Sequence, residues 1–201
     1  MKSSTVLAFF LPVLALSVPL NKYGGHNDGS NRCLTDDQVT TIQTNWRSLL
    51  INIDSATANS TLTPDFQLYS DSDNFIKGKA VVPAGTVTDA SRAAFVARQS
   101  LSQSILHSRV AGITLTPLQI LHDCSQIAIR WRWQGTWNVN NATGFDAKIG
   151  DPVGFTGIDV LELENGTNLI KTAYTELNAP EFFWDAGVKI CFQRNNASAC
   201  S

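Results

Sequence analysis

The stretch V-G-F-T-G-I-D-V-L-E-L-E-N-G-T-N-L-I-K-T-A-Y-T-E-L-N, residues 153–178, decides the fold class. Two runs rich in β-branched and aromatic residues flank Asn165 and Gly166, a dipeptide typical of a two-residue hairpin turn at positive φ. We therefore expect two antiparallel strands. The predicted pairs are Glu164 with Thr167, Leu161 with Ile170, Asp159 with Thr172, and Gly157 with Tyr174.

In this register Asp159 is an acid on a mostly apolar face, because side chains along a strand alternate between the two faces. Burying a carboxylate without a partner is costly, so Asp159 is hydrogen-bonded, neutralised or used in chemistry. The residues predicted to share its face are Phe155, Leu161, Ile170, Thr172, Tyr174 and Glu176.

The run G-I-D-V-L-E-L-E-N-G-x-x-L-I-K-x-A-Y-x-E-L-N resembles the last two strands of SnoaL-like or NTF2-like domains, whose superfamily includes ketosteroid isomerase and scytalone dehydratase. The chain resembles a fungal-type member of this superfamily, with a domain at residues 33–187. Its expected fold is α+β, a cone in which a curved antiparallel sheet wraps around N-terminal helices and leaves a central pocket. In the isomerase, an aspartate and an aromatic residue at the positions of Asp159 and Tyr174 lie in that pocket.

A general base is expected in the segment S-D-S-D, residues 70–73, because the isomerase's base lies at about this distance after the first helix. Ser70 occupies the aligned position, so the candidates are Ser70, Asp71 and Asp73. We favour Asp71, since a carboxylate is needed and it is the nearer acid. The alternative is a solvated turn without a catalytic role.

Two helices precede the strands in the predicted order. Residues 35–38, T-D-D-Q, form a capping-box pattern that predicts the start of the first helix. Its apolar stripe includes Trp46, which stands where the isomerase has a catalytic tyrosine. Because tryptophan does not titrate, we interpret Trp46 as core or pocket wall. Residues 52–64 are expected to form a polar turn, and Asp89 or Ser91 is expected to cap the second helix.

From Ile113 onward, apolar residues recur at every second position. This pattern predicts an edge strand interrupted at Pro117 and then a long strand. The long strand places three tryptophans on one face, either as a thick core or as the wall of a pocket for a flat or terpenoid-like ligand. A short helix at residues 178–187 is expected to act as a lid or a dimer contact. The predicted substrate-binding residues are Trp46, Trp131, Trp133, Phe155, Glu176 and Phe183.

The N-terminal segment predicts export. Residues 1–17 combine a basic start, an apolar run and small residues near a cleavage site, as in a signal peptide. Residues 18–32 are predicted to be a flexible leader and residues 188–201 a tail. The predicted glycosylation sites are Asn59, Asn141, Asn165 and Asn196.

Four cysteines are consistent with two disulfides in an oxidising compartment. Three pairings are possible. We favour Cys33 with Cys124, and Cys191 with Cys200, because the latter two are close in sequence and would fix the tail.

The composition limits the partners. With a formal net charge of −2 over 201 residues, the chain offers no basic surface for nucleic acid and no polybasic patch for a membrane. The scattered histidines and the lack of phosphate-loop or zinc motifs predict neither a metal site nor a cofactor. A small apolar molecule is therefore the expected partner, and the resemblance also allows a homodimer through the outer face of the sheet.

Two functions remain open. In the first, Asp159 has a pKa raised by burial, Asp71 accepts a proton and Tyr174 orients the substrate. The chain then acts on a polyketide- or terpenoid-like molecule in secondary metabolism, by isomerisation, dehydration or cyclisation. In the second, it is a non-catalytic secreted module that binds an apolar ligand or a protein. Two acids facing one open cavity would favour the enzyme.

Overall fold

The computed structural model describes residues 33–76, 82–139, 146–188, 191–194 and 197–200, and only the backbone at residues 75, 76, 191–194 and 197–200. The predicted signal peptide, the leader and the sequons at Asn141 and Asn196 lie outside the described residues. Asn59 and Asn165 are both exposed, so their predicted glycosylation stays a prediction.

The first helix, α1 (Asp36–Ile51), begins at the predicted capping box. The Thr35 side chain accepts from the Gln38 backbone N–H, and the Gln38 side chain accepts from the Thr35 backbone N–H at 2.9 Å. These two bonds satisfy donors that the first turn leaves without helical partners. The predicted stripe is confirmed by the buried residues Val39, Ile42, Trp46 and Leu49.

The polar turn predicted at residues 52–64 is wrong, because a second helix, α2 (Ser55–Thr61), forms there. The Asp54 side chain accepts from the Thr57 backbone N–H at 2.8 Å and so caps this helix. Ala58 and Thr61 face the core while the other small polar residues of α2 remain at the surface. The next elements are β1 (Leu62–Tyr69), α3 (Asp71–Ile76) and β2 (Val87–Asp89).

Helix α4 (Arg92–His107) begins at Ser91, whose hydroxyl accepts from the Ala94 backbone N–H at 3.1 Å. The edge strand β3 (Val110–His122) has the predicted irregularity after Pro117. Strand β4 (Gln126–Trp137) alternates as predicted, and its buried side chains are Ile127, Ile129, Trp131, Trp133 and Trp137.

The chain continues with β5 (Pro152–Leu163), β6 (Ile170–Leu177), α5 (Ala179–Asp185), β7 (Cys191–Arg194) and β8 (Ala197–Cys200). Six strands form one sheet in the order β2-β1-β6-β5-β4-β3, in which only β1 and β6 are parallel, and β7 and β8 form a separate hairpin. The predicted α+β fold, an open curved sheet with helices packed on it, is confirmed.

The predicted register of the β5–β6 hairpin is wrong by three residues. Asp159 pairs with Thr175 rather than Thr172, and Val160 pairs with Tyr174. The loop is longer than two residues, because the Glu164 N–H donates to the Leu169 carbonyl at 2.9 Å. Since three is an odd number, the correction moves β6 side chains to the opposite face.

The predicted bond between Cys33 and Cys124 is confirmed and ties the start of α1 to the β3–β4 turn. Closing a loop of this length restricts the unfolded chain, an effect of roughly 4 to 5 kcal/mol in the chain-entropy model. Cys191 and Cys200 face each other in register across the β7–β8 hairpin. Their side chains are not described, so that bond stays a prediction.

Candidate functional site

An inner cavity of about 190 Å³ lies between α4 and the inner face of the sheet. The sheet supplies Trp131, Trp133, Phe155 and Thr175 to its wall, and α3 supplies Asp73. The α4 residues in the wall are Phe95, Arg98, Gln99, Ser102 and Leu106, which recur at helical spacing and so share one face of the helix.

An outer cavity of about 340 Å³ adjoins the inner one. Its wall adds Ile105, Trp137 and Phe182 to four residues that line both cavities, Ser102, Leu106, Phe155 and Leu177. We call the two cavities together the cleft. It is apolar along most of its length and has its charged side chains at the Asp73 end and at Arg109.

Aromatic rings form the sheet side of the cleft. Trp133 and Phe155 stack with ring centroids 5.0 Å apart, and Trp131 meets Phe155 edge-on at 5.7 Å. Phe182 of α5 contacts both Trp133 and Phe155 edge-on. Helix α5 is held in place by Glu181, which accepts hydrogen bonds from the Arg132 side chain and the Thr156 backbone. The tryptophans of β4 thus serve as core and as cavity wall.

Asp159 lies behind the wall of the inner cavity, with no exposed surface. Its Oδ2 accepts a hydrogen bond from the Trp46 indole N–H at 2.7 Å. Its Oδ1, the Trp131 indole nitrogen and the Thr175 hydroxyl are all buried without a hydrogen bond of good geometry. Both Trp131 and Thr175 line the cavity, so they separate Asp159 from its contents.

Gly157 creates the space that Trp131 occupies. The two residues pair across β4 and β5, and a Cβ on Gly157 would come within 2.3 Å of the indole carbon Cζ2. The ring therefore lies over the glycine, which is two residues before Asp159 and on the same face of the strand. A larger residue at position 157 would displace the ring from the cavity wall.

Burial raises the pKa of Asp159 from 3.8 to about 7, because the charged carboxylate loses its hydration. The side chains of Trp46, Thr175 and Trp131 partly offset the rise by stabilising the charged form, and the negative charge of Asp73 adds to it. Thr175 and Trp131 exert this influence from close by without completing hydrogen bonds to Oδ1. Near neutrality Asp159 therefore exists as both acid and carboxylate.

Asp73, rather than Asp71, is the acid in the cavity wall. Its Oδ2 accepts from Arg98 Nη1 at 3.0 Å, and Arg98 Nε donates to the buried Asp89 at 2.7 Å. Asp71 is exposed, and its Oδ1 accepts from the Gly85 backbone N–H at 3.1 Å. The preference for Asp71 as the pocket acid is therefore corrected, because α3 turns the two acids in different directions.

Tyr174 does not lie in the cleft. It is on the outer face of the sheet, 43% exposed, and stacks on Tyr69 with ring centroids 5.2 Å apart. Tyr174 was predicted to be a pocket residue from the hairpin register, and the prediction is wrong because that register is wrong. Thr175, which sequence reasoning passed over, takes the inward position beside Asp159.

The other predicted binding residues divide between wall and support. Trp131, Trp133 and Phe155 line the inner cavity, whereas Trp46 is buried behind it. Glu176 lines neither cavity, and its carboxylate instead accepts from the Asp71 and Ser72 backbone N–H groups at 2.8 and 3.0 Å. Phe183 contacts Phe182 but lines neither cavity.

Arg98, Gln99 and Ser102 are wall residues that sequence reasoning missed as functional candidates. A signal was present, since polar residues at positions 98, 99 and 102 interrupt the apolar face of α4 at helical spacing.

Within the described ranges, no group of three or more His, Cys, Asp or Glu side chains is arranged to hold a metal ion. The same residues include no helix that is both long and apolar enough to cross a bilayer.

Comparison with known proteins gives a family match. The model of the NTF2-like domain matches residues 32–189. No match was found among curated proteins.

Solved structures share the fold at low sequence identity. IdmH, a proposed polyketide cyclase from Streptomyces antibioticus, is 17% identical with a TM-score of 0.57, covering 74% of this chain and 98% of its own. A proposed SnoaL-like polyketide cyclase from Shewanella denitrificans is 11% identical with a TM-score of 0.54, covering 76% and 97%. A protein with the ketosteroid isomerase fold from Catenulispora acidiphila, in complex with trimethylamine, is 10% identical with a TM-score of 0.52, covering 77% and 95%.

Proposed function

Because this chain belongs to the NTF2-like family, we propose that its cleft binds a small apolar molecule and acts on it by acid–base chemistry. The observation that carries this proposal is one acid in the wall of the inner cavity and a second, fully buried acid behind that wall, close enough for the two charges to interact. Asp73 is in the cavity wall. Asp159, whose pKa is about 7, lies behind the wall residues Trp131 and Thr175. Two carboxyl groups in such different surroundings are suited to opposite roles in proton transfer.

In this proposal Asp73 accepts a proton from the substrate, taking the role that sequence reasoning assigned to Asp71. Protonated Asp159 stabilises negative charge that develops on the substrate, acting through the Thr175 hydroxyl in front of it, and the proton taken up by Asp73 is then returned to the product or to the leaving group. Trp46 positions Asp159 by its hydrogen bond. Isomerisation, dehydration and cyclisation each require one proton to leave and another to be supplied, so all three suit this arrangement.

The proposed substrate is polyketide- or terpenoid-like, from secondary metabolism. The aromatic wall favours a flat or extended apolar body, since ring faces stack on planar molecules. The names of two neighbours of similar fold, both proposed polyketide cyclases, agree with this class.

A probe reaction tests the proposal without knowledge of the substrate. The base-catalysed ring opening of 5-nitrobenzisoxazole needs only an apolar pocket and a carboxylate, and it releases a coloured phenolate. We expect Asp73→Asn to lower kcat by about 100-fold or more, the usual effect of removing a general base. The matched control is Asp71→Asn, two residues away in α3, which should stay within about 2-fold of the wild type.

Comparable rates for the Asp73→Asn and Asp71→Asn proteins would contradict a catalytic role for Asp73. The thermal midpoint of each variant should be measured alongside, since Asp73 also pairs with Arg98. A loss of rate in a protein that has kept its fold is the informative result.

Non-catalytic binding is the second candidate, and one observation favours it. Asp159 has no exposed surface and is separated from the cavity by Trp131 and Thr175. Under this alternative an apolar ligand binds in the cleft without turnover. The absence of probe turnover in wild-type protein that binds apolar molecules would identify this function.

We further propose that the chain is secreted, with residues 1–17 removed, and glycosylated at one or more of its sequons. The sequence of the N-terminal segment and the disulfide between Cys33 and Cys124 support export. N-terminal sequencing of protein recovered from the medium of a eukaryotic host tests the cleavage, and a mass shift after glycosidase treatment tests the glycans.

A homodimer through the outer face of the sheet is also proposed. Side chains in register across five strands form an apolar row on that face: Leu121, Ala128, Val160, Tyr174 and Tyr69. Of these, Leu121 and Tyr174 are exposed. Sedimentation at several concentrations tests the assembly, and Val160→Glu, at the centre of the row, should shift any dimer to monomer.

A further inference from the structure

We infer that the cleft selects an elongated apolar molecule whose polar group is a carbonyl or hydroxyl oxygen placed at the Asp73 end, and that it discriminates against free carboxylic acids. This inference rests on the proposed function, because it names the substrate class of the same site. It is drawn from the order of side chains along α4 and from the charges at the inner end.

Helix α4 sets the length and polarity of the cleft. Its cavity-facing residues begin at Phe95 and Arg98, continue through Gln99 and Ser102, and end at Leu106. The rise of an α-helix places the first and last of these about 16 Å apart. A ligand that fills the cleft is therefore elongated, with its polar group beside Arg98 and its apolar part near Leu106.

The charges at the inner end are already paired. Arg98 lies between Asp73 at 3.0 Å and Asp89 at 2.7 Å, so a single cation faces two carboxylates. The buried Arg98 Nη2 has no hydrogen-bond partner and is available to donate to a ligand oxygen. A ligand carboxylate would nevertheless lose its hydration beside a cation already shared by two carboxylates, and Asp73 would repel it.

Uncharged polar groups, in contrast, find suitable partners. Gln99 and Ser102 present an amide and a hydroxyl to the inner cavity, and both can donate to an oxygen of the ligand or accept from its hydroxyl. The stacked rings of Trp133 and Phe155 on the opposite side contact the apolar part of the same molecule. An uncharged head and an apolar body therefore match the two walls together.

Two probes with the same chain length test the inference: 2-decanone and decanoate, at pH 8, where decanoate is fully ionised. Binding is followed by quenching of tryptophan fluorescence, since Trp131, Trp133 and Trp137 line the cleft. We expect the ketone to bind at least about 10-fold more tightly than the acid, because one uncompensated charge at close range has an effect of this size.

The variant Asp73→Asn should remove most of the discrimination. Removing one carboxylate leaves Arg98 balanced by Asp89 alone, so decanoate should bind about 10-fold more tightly than in the wild type. Asp71→Asn is again the matched control, and it should leave both affinities unchanged because Asp71 is outside the cleft.

Equal or tighter binding of decanoate to the wild type would overturn the inference, as would failure of both probes to bind. Tight binding of decanoate that Arg109→Gln abolishes would show the opposite orientation, with the acid at the outer cavity, and would also overturn it. These affinities are measured without turnover. A failure here is thus distinct from a failure of the proposed catalysis, which the rate of the Asp73→Asn protein decides.

Discussion

The indole nitrogen of Trp46 and the carboxyl oxygen Oδ2 of Asp159 are 2.7 Å apart and join α1 to β5 in the interior of the protein. The tryptophan is 113 residues away in sequence and nearly fully buried. Its ring also stacks on Phe95 of α4, with centroids 5.7 Å apart. One side chain therefore fixes the acid and packs against the helix that forms the other wall of the cleft.

The first prediction concerns stability and pH. The pKa of Asp159 is 3.8 in the unfolded chain and about 7 in the folded protein, so the folded protein binds the proton more tightly. The contribution of Asp159 to the free energy of unfolding is therefore fully present below about pH 4. It decreases as the pH rises to about 7, and above that pH no further stability is lost. The difference between the two pKa values corresponds to roughly 4 kcal/mol as an order of magnitude.

Replacing Asp159 by Asn should remove this dependence. Asn is close to Asp in size and carries no charge, so the variant should gain stability relative to the wild type as the pH rises from 5 to 8. Urea denaturation at both pH values measures the gain. An identical difference between the two proteins at pH 5 and pH 8 would mean that Asp159 titrates normally.

The second prediction concerns the hydrogen bond itself. Trp46→Phe keeps most of the ring and removes the donor, so the charged form of Asp159 loses its main stabilising contact. The variant should lose about 1–3 kcal/mol more at pH 8 than at pH 5. A double-mutant cycle with Asp159→Asn provides the control. If the cost of Trp46→Phe were the same with Asn at position 159, the bond would contribute nothing specific to the carboxylate.

The third prediction concerns Gly157. An alanine there would bring its Cβ to 2.3 Å from the Trp131 ring, so the ring or the strand must move. We expect a loss of about 1–3 kcal/mol and a changed tryptophan emission spectrum. In a Trp131→Leu background the same substitution should cost clearly less, because the obstructing ring is absent. An equal cost in both backgrounds would place the strain in the backbone instead.

The sequence predicted those elements whose signals are local. The capping box at the start of α1 and the alternation of β4 depend on neighbouring residues, and both are as expected. The β5–β6 hairpin was predicted correctly, but the pairing of residues across its two strands was not. Hydrogen bonds that widen the loop between Glu164 and Leu169 cannot be deduced from the Asn-Gly dipeptide. That register decided whether Tyr174 or Thr175 faces the cavity.

The preference for Asp71 over Asp73 was wrong for a similar reason, since it depended on contacts between residues that are distant in sequence. Sequence reasoning assigned no helix to the segment S-D-S-D, whereas its last three residues open the short helix α3. Glu176, distant in sequence, binds the first backbone N–H groups of that helix and helps to fix its direction. The partner that holds Asp73 in the cavity wall, Arg98, comes from another helix. Contacts of this kind arise only in the folded protein.

The most direct measurement is the pH titration of the Asp159 carboxyl carbon by ¹³C NMR, in the wild type and in Asp73→Asn. If the half-buried Asp73 and the buried Asp159 act as a pair, Asp159 must keep its proton near neutrality and respond to the charge of Asp73. We predict a midpoint near pH 7 in the wild type and a lower one in the variant, because the charge of Asp73 raises the pKa of Asp159. A wild-type midpoint near 3.8, unchanged in the variant, would contradict the proposed pairing.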